Sequence, residues 1–428
     1  MNKIKRIFSN PEIVKRLAFT ILILLVFKIG TFIPVPLIDI TGIKNTLANN
    51  DFLTILNTFS GGGLASFSIL ALGISPYITA SIIVQMLQLV IPQMKEWQEL
   101  GDAGKQKANR VTRYMTIVIA LIQALALLLG LGTRAENIFW LGAFPVNWFH
   151  YVYMAIVITA GSAFTMWLAD LITKNGIGNG SSMIICAGIV SSIPTMFSVL
   201  NSTFLGENTT GGNVAKFITI VVLYVLMILL VVFFEGAKRT IPVQYDNRQG
   251  NQFSEIPIKL NSAGVIPVIF ASTLMSIPTT IIGMMGLDPN SSNVAYWFDQ
   301  VFTMSKPIGM AVYIILIVFF SYFYSFLTID PEKIGDNLEK QNAYLPGFKP
   351  GEQTKHQISQ ILFRVTTIGA AGLVFLAIVP VIVSLTFGTT SAVTVGGTSL
   401  LIIVGVAIET CNQLESESES KDSYSSII

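Results

Sequence analysis

Charged residues are scarce in this chain. Only 12% of its 428 residues are Asp, Glu, Lys or Arg, while 52% are hydrophobic. Soluble globular proteins carry roughly twice that share of charge, so this composition is typical of a protein that crosses a membrane several times. The formal net charge of +2 also argues against bulk electrostatic attraction to nucleic acid.

Cysteine and histidine are almost absent, with two residues of each type. Cys186 and Cys411 are far apart in sequence, which excludes a disulfide framework and any recognisable metal-ligand spacing. The chain also lacks the common hydrolase and metalloprotease motifs. The string GIGNGSS at 176–182 has the wrong glycine spacing for a dinucleotide site, and no P-loop lysine follows it. We therefore predict that the chain is not an enzyme and holds no metal or cofactor.

Long apolar runs are abundant, and ten of them approach the roughly twenty residues that span a bilayer. They cover residues 17–35, 61–91, 114–132, 149–172, 181–200, 217–234, 262–285, 307–328, 365–386 and 391–410. Lipid offers the backbone no hydrogen-bond partners, so each run is expected to be helical. The sequence predicts an all-α polytopic membrane protein with ten transmembrane helices.

Basic residues indicate the orientation of these helices. Of the 26 Lys and Arg residues, 21 fall on the side that holds both termini; only Lys44, Arg134, Lys216 and Lys306 fall on the other side, and Lys28 lies inside the first predicted helix. Cytoplasmic loops carry an excess of Lys and Arg. Both termini are therefore predicted to be cytosolic.

Ionisable residues are missing from the middle of the predicted membrane spans. Lys28 lies about two-thirds along the first span and is expected to reach outward, while Asp170 and Glu235 lie at cytosolic ends. Ion-coupled transporters need acidic groups or histidines within the membrane. Their absence counts against a small-molecule secondary transporter, which we keep as an alternative.

Helix-breaking residues interrupt several spans, most clearly the second. This span opens with three glycines and has Gly73 and Pro76 in its middle. Such breaks suit a helix that faces other helices or a cavity, and an apolar constriction can close a pore. Ordinary helix packing explains small and branched residues equally well. Composition alone favours ordinary helix packing, with a pore as the remaining alternative.

Two polar loops, at 235–261 and 330–360, fall on the predicted cytosolic face. Each is either a solvated connector or part of a docking platform for a cytosolic partner. Ten helices also divide into five plus five, and halves with an odd number of helices must be inverted relative to one another. We expect halves at 1–200 and 201–410, followed by a disordered acidic tail at 411–428.

Five long strings are more specific. They are ALGISPYITASIIVQML in the second span, LADLITKNGIGNGSSMIICAGIVSSIP across the fourth and fifth, RTIPVQY in the first large loop, KLNSAGVIPVIFAS in the seventh span, and LPGFKPGEQT in the second large loop. Through these strings the chain resembles the SecY family over nearly its whole length. The resemblance implies two inverted five-helix halves around an hourglass pore. It also implies a protein-conducting channel in the bacterial plasma membrane, which passes unfolded preproteins across the membrane and releases apolar segments sideways into lipid.

The resemblance also implies roles for particular residues. A pore ring would be formed by Ile74, Ile78, Ile185, Ile269 and Ile402. A short helix called the plug would cover residues 61–70, including Gly61, Gly62, Gly63, Leu64, Phe67 and Leu70. A lateral gate would have Thr79 on one side and Ile277 on the other.

Partners follow from the same resemblance. SecA and the ribosome would dock on the cytosolic loops through Arg239, Arg248 and Lys349, and SecE-like and SecG-like membrane subunits would accompany the channel. A preprotein or its signal peptide would occupy the pore, and membrane lipid would receive the apolar segments. Lys349 stands where the family usually has arginine, and the acidic tail stands where the family's tail is usually basic. The resemblance also allows an accessory translocon copy with restricted cargo, and a membrane insertase or scaffold is a further alternative.

Overall fold

The computed structural model describes residues 10–36, 57, 60–132, 148–205, 211–245, 254–284, 293–303, 306–341, 343–348, 351–387 and 391–425. Most of these residues are helical. The helices are α1 (Pro11–Gly30), α2 (Ser75–Val90), α3 (Pro92–Glu99), α4 (Asp102–Gly132), α5 (Trp148–Asn175), α6 (Gly180–Phe204), α7 (Gly211–Gly236), α8 (Ile266–Met284), α9 (Asn293–Phe302), α10 (Pro307–Thr328), α11 (Pro331–Lys340), α12 (Glu352–Phe387) and α13 (Ser391–Ser425). The strands are β1 (Lys238–Tyr245), β2 (Ser254–Lys259) and β3 (Ala343–Tyr344).

Side-chain caps begin several helices. Asn10 accepts a hydrogen bond from the Glu12 N–H at the start of α1, and Asn179 does the same for the Ser181 N–H at the start of α6. Such caps satisfy N–H groups that have no partner within the helix. Pro11 occupies the first turn of α1, where its missing N–H costs nothing.

Each of the ten predicted spans overlaps one helix of the structure. Within the described residues, six helical stretches are both long and apolar enough to cross a membrane. They include α4, α5, α6 and most of α7. The count of ten crossings stays a prediction. The second span differs most from expectation, because α2 begins only at Ser75.

The helices of the two halves meet along two lines of contact, which we call seams. Helix α4 packs against α2 and α5, while α10 packs against α8 and α12. Along one seam α2 and α4 both meet α8, and along the other α6 meets α7 and α13. The first half of the sequence therefore meets the second half along both seams. That the halves are inverted copies stays a prediction.

A small antiparallel sheet, which the sequence analysis did not predict, joins the two large loops. Its strand order is β2-β1-β3, with Arg239 opposite Ile258 in one pair and Tyr245 opposite Ala343 in the other. Side chains alternate along β1, so that Ile241 and Val243 are buried while their neighbours are exposed.

The buried side of this sheet packs against helices α11 and α12. Ile241, Val243 and Ile258 share one apolar cluster with Leu338 and Leu362. The loops at 235–261 and 330–360 therefore form one packed unit rather than two separate connectors. We call this unit the cytosolic platform, after its predicted side.

The acidic tail is helical rather than disordered as far as the structure describes it. Helix α13 continues through Ser425, and residues 426–428 lie outside the described part of the chain. Gln413 accepts a hydrogen bond of 3.0 Å from the Gly178 N–H, and Glu417 pairs with Arg16 at 3.4 Å. Leu414 packs with Ile13 and Ile177. These contacts hold residues 413–417 of the tail against the first half of the chain, so the disorder predicted for 411–428 was wrong for this part of it.

Candidate functional site

The five isoleucines of the expected ring lie together. Each is between 1% and 6% exposed, and all belong to one buried apolar cluster. They are Ile74 and Ile78 at the start of α2, Ile185 on α6, Ile269 on α8 and Ile402 on α13. Helices from both halves of the sequence thus contribute to one apolar junction. The assignment of these side chains to a pore ring stays a prediction.

The start of α2 positions two of these isoleucines. Gly73 has a φ of +54°, a conformation that side chains rarely adopt, and it turns the chain directly before Ile74. Ile74 is the N-cap residue of α2, and Pro76 lies in the first turn of the helix. The chain therefore breaks at Gly73–Pro76 and leaves Ile74 and Ile78 inside the cluster.

Residues 60–74, which we call the interrupted segment, contain the whole of the expected plug. The resemblance implied a short helix at 61–70, and this expectation was wrong, because the structure shows successive turns there. Gly61, Gly62 and Phe67 have φ values of +68°, +87° and +40°, which an α-helix does not allow. Phe67 is the only residue other than glycine with a positive φ in the described part of the chain.

The interrupted segment fits between the end of α1 and two other helices. The Val35 N–H donates to the Phe67 carbonyl and the Ile69 N–H donates to the Ile33 carbonyl, both at 2.9 Å. These bonds form a short antiparallel bridge. The bridge satisfies backbone groups that a non-helical segment would otherwise leave unpaired in an apolar setting.

The side chains of the interrupted segment point into two clusters. Leu64 and Phe67 are buried against Leu128 of α4 and Ile158 of α5. Leu70 instead joins the cluster that holds the five isoleucines. The segment therefore contacts the expected ring at one end and the helix pair α4–α5 along its middle.

A glycine on α5 permits this close fit. A Cβ atom added at Gly161 would lie 2.0 Å from the Ile69 carbonyl oxygen, which is far inside contact distance. Gly63 lies within the segment itself and has similarly little space, with the Ser68 hydroxyl 2.7 Å from an added Cβ. Glycine is thus required sterically at Gly161 for the segment to reach its observed position.

The two expected gate residues lie on helices that pack together. Thr79 is buried on α2 and donates to the Ser75 carbonyl at 3.1 Å, while Ile277 is half-buried on α8. A further contact escaped the sequence analysis: the Tyr324 hydroxyl of α10 donates a short hydrogen bond to Gln85 of α2. These two residues are far apart in sequence and belong to no motif, so only the fold brings them together.

Of the three expected docking residues, only Arg239 lies in the described part of the chain. It is exposed on β1, at the surface of the cytosolic platform. Arg248 and Lys349 lie outside the described residues. Among the described residues, no group of three or more His, Cys, Asp or Glu side chains is placed to hold a metal ion.

The long apolar helices and their packing around a buried apolar junction define an all-α polytopic membrane protein. The sequence model of the SecY family matches residues 68–411, and the chain belongs to this family. It is 40% identical over 424 residues to protein translocase subunit SecY of Staphylococcus epidermidis, covering 97% of each chain. It is also 40% identical over 425 residues to the same subunit of Staphylococcus carnosus, covering 97% of this chain and 96% of the relative.

Solved structures share the fold. One described as a protein-conducting channel aligns with a TM-score of 0.66 at 20% identity. Another, described as showing that the plug domain of SecY stabilises the closed state of the translocation channel, aligns with a TM-score of 0.66 at 22% identity. Both alignments cover 94% of this chain and 92% of the other. The predicted family and the all-α polytopic class are therefore confirmed.

We predict that Gly161→Ala lowers the thermal stability of the protein. The added methyl group must displace the backbone at Ile69, and overpacking of this kind costs about 1–3 kcal/mol. The measurement is the Tm of the detergent-solubilised protein. Gly236→Ala is the matched control, because a Cβ there meets nothing within 4 Å. Equal Tm values for the two variants would contradict the tight fit at Gly161.

Proposed function

We propose that this chain is the protein-conducting subunit of a translocon, which passes unfolded preproteins across the plasma membrane and is not an enzyme. The observation that carries the proposal is that the five isoleucines of the expected ring belong to one buried apolar cluster, to which helices of both halves contribute. Membership of the SecY family supports the same conclusion, because its curated relatives are named protein translocase subunits.

An apolar ring suits this task for two physical reasons. An apolar constriction excludes water, so it blocks ions without any charged filter. Branched aliphatic side chains also make no directional bonds, so they accept cargo of varied sequence. The interrupted segment would reinforce the closed state by filling the space next to the ring, where Leu70 already packs.

Sideways release into lipid would take place between α2 and α8. These helices come from different halves and pack directly together. The hydrogen bond between Gln85 and Tyr324 adds a polar link from α2 to α10 on the same side. Thr79 and Ile277 would then line the opening through which an apolar segment leaves.

The energy for transport would come from partners. SecA and the ribosome would bind the cytosolic platform, where Arg239 supplies an exposed charge, and Arg248 and Lys349 would contribute from outside the described residues. SecE-like and SecG-like subunits would support the channel in the membrane. In this arrangement both termini face the cytosol, in agreement with the distribution of Lys and Arg.

The proposal predicts cargo protection by vesicles that contain this chain. A secretory preprotein should become resistant to added protease only when SecA and ATP are present, because only then does it cross the membrane. Vesicles without this chain provide the control. Accumulation of a small solute without any protection of the preprotein would favour a secondary transporter instead.

Deletion of residues 61–70 should raise the ion conductance of the resting protein in planar bilayers. The deletion removes Leu70, which packs beside the ring, together with Leu64 and Phe67, which pack against α4 and α5. A scaffold without a pore would show no change in conductance, and that result would argue against a channel.

Replacement of Ile269 by glycine should also make the resting protein leak ions, and Ile78→Gly should act in the same way. Each change removes a buried side chain from the cluster and opens space that water can enter. Ile315→Gly on α10 is the matched control, because Ile315 is 66% exposed. The readout is single-channel conductance, and a leak as large in the control as in Ile269→Gly would count against the ring assignment.

A further inference from the structure

Lys28 contacts the interrupted segment directly. It lies in the last turn of α1, and its ammonium group donates a hydrogen bond of 3.0 Å to the carbonyl oxygen of Gly61. The same group lies 5.0 Å from the centroid of the Phe32 ring, within the range of a cation–π contact. The sequence had suggested that this lysine reaches outward, whereas in the structure it is half-buried and bonded to the segment.

The residues that follow Lys28 hold the other end of the segment. The Ser66 hydroxyl donates to the Thr31 carbonyl at 2.9 Å, and the short bridge joins Ile33 and Val35 to the chain around Phe67. The end of α1 therefore binds the segment at two places, one at Gly61 and one at residues 66–69.

The two attachments differ in chemistry. The bridge consists of neutral backbone bonds, which water can replace at modest cost when the segment moves. The contact of Lys28 with Gly61 is charge-assisted, and such bonds are roughly twice as strong as neutral ones. Gly61 is also tightly placed, since an added Cβ would lie 3.1 Å from the Gly188 Cα atom of α6. The ammonium group thus fixes the end of the segment that packs against α6.

We propose that Lys28 is the positioning residue that latches residues 60–74 in the sealing position. This rests on the proposed channel function and goes beyond it by assigning a role to a residue outside the ring, the plug and the gate. A charge-assisted hydrogen bond biases an equilibrium by roughly ten- to a hundredfold, so loss of the latch should raise the open fraction by about that factor.

The test compares the resting ion conductance of three variants in planar bilayers. Lys28→Met keeps the length of the side chain but removes the donor, and it should raise the open probability about ten- to a hundredfold. Lys28→Arg keeps a charged donor and should stay close to wild type. Lys306→Met is the matched control: Lys306 is also half-buried, is the N-cap residue of α10 on the predicted non-cytosolic side, and should show no change.

A second measurement follows the segment itself and does not depend on conductance. Ser68 is buried, and its hydroxyl has no hydrogen-bond partner among the described residues, so Ser68→Cys is a mild change. With Cys186 and Cys411 replaced by serine, this thiol should react slowly with a membrane-impermeant maleimide. Adding Lys28→Met should speed the reaction about ten- to a hundredfold, whereas adding Lys306→Met should not.

The outcomes of these experiments distinguish the proposed role of Lys28 from the proposed channel function. If deletion of residues 61–70 raises conductance but Lys28→Met changes neither conductance nor thiol reactivity, the latch is overturned and the channel stands. If the deletion itself has no effect, the sealing role and the latch both fail. A leak in Lys28→Met that Lys28→Arg does not correct would also overturn the latch, because the donor would then not be the cause.

Discussion

The structure depends on one constraint: backbone that is not helical cannot face lipid, because its N–H and C=O groups would lack partners. Residues 60–74 break this pattern with a series of turns, so they must be enclosed by protein. The end of α1 supplies backbone partners, and α4 and α5 supply apolar cover. Burial of the segment beside the isoleucine cluster follows from this requirement.

Both halves of the sequence contribute to the buried apolar cluster that holds the five isoleucines. The cluster draws Ile185 from the first half and Ile269 and Ile402 from the second, so neither half completes it alone. Apolar contacts are non-directional, so separation of the halves at this cluster would break no specific bonds within it. Polar links between the halves lie outside this cluster, for example between Gln85 and Tyr324 and between Arg16 and Glu417.

Much of the fold could be predicted from the sequence, because membrane spans depend on local composition. The break at Gly73–Pro76 was also visible, since glycine and proline act locally. The turns at 61–70, the pairing of β1 with β3 and the contact of Gln85 with Tyr324 were not visible. Each of these depends on partners distant in sequence, and the hydrophobic pattern of the sequence does not indicate such pairings. The helix of the tail was not predicted for the same reason. Its low-complexity composition gives no indication that Glu417 contacts Arg16.

The contacts of the tail have a consequence for biosynthesis. Ile13 and Ile177 belong to the first half of the chain, yet their apolar cluster is completed by Leu414 near the end of α13. A ribosome makes the chain from its N-terminus, so the start of α1 stays partly uncovered until α13 has emerged. Helix α1, which is made before the other described helices, is therefore among the last of them to finish packing.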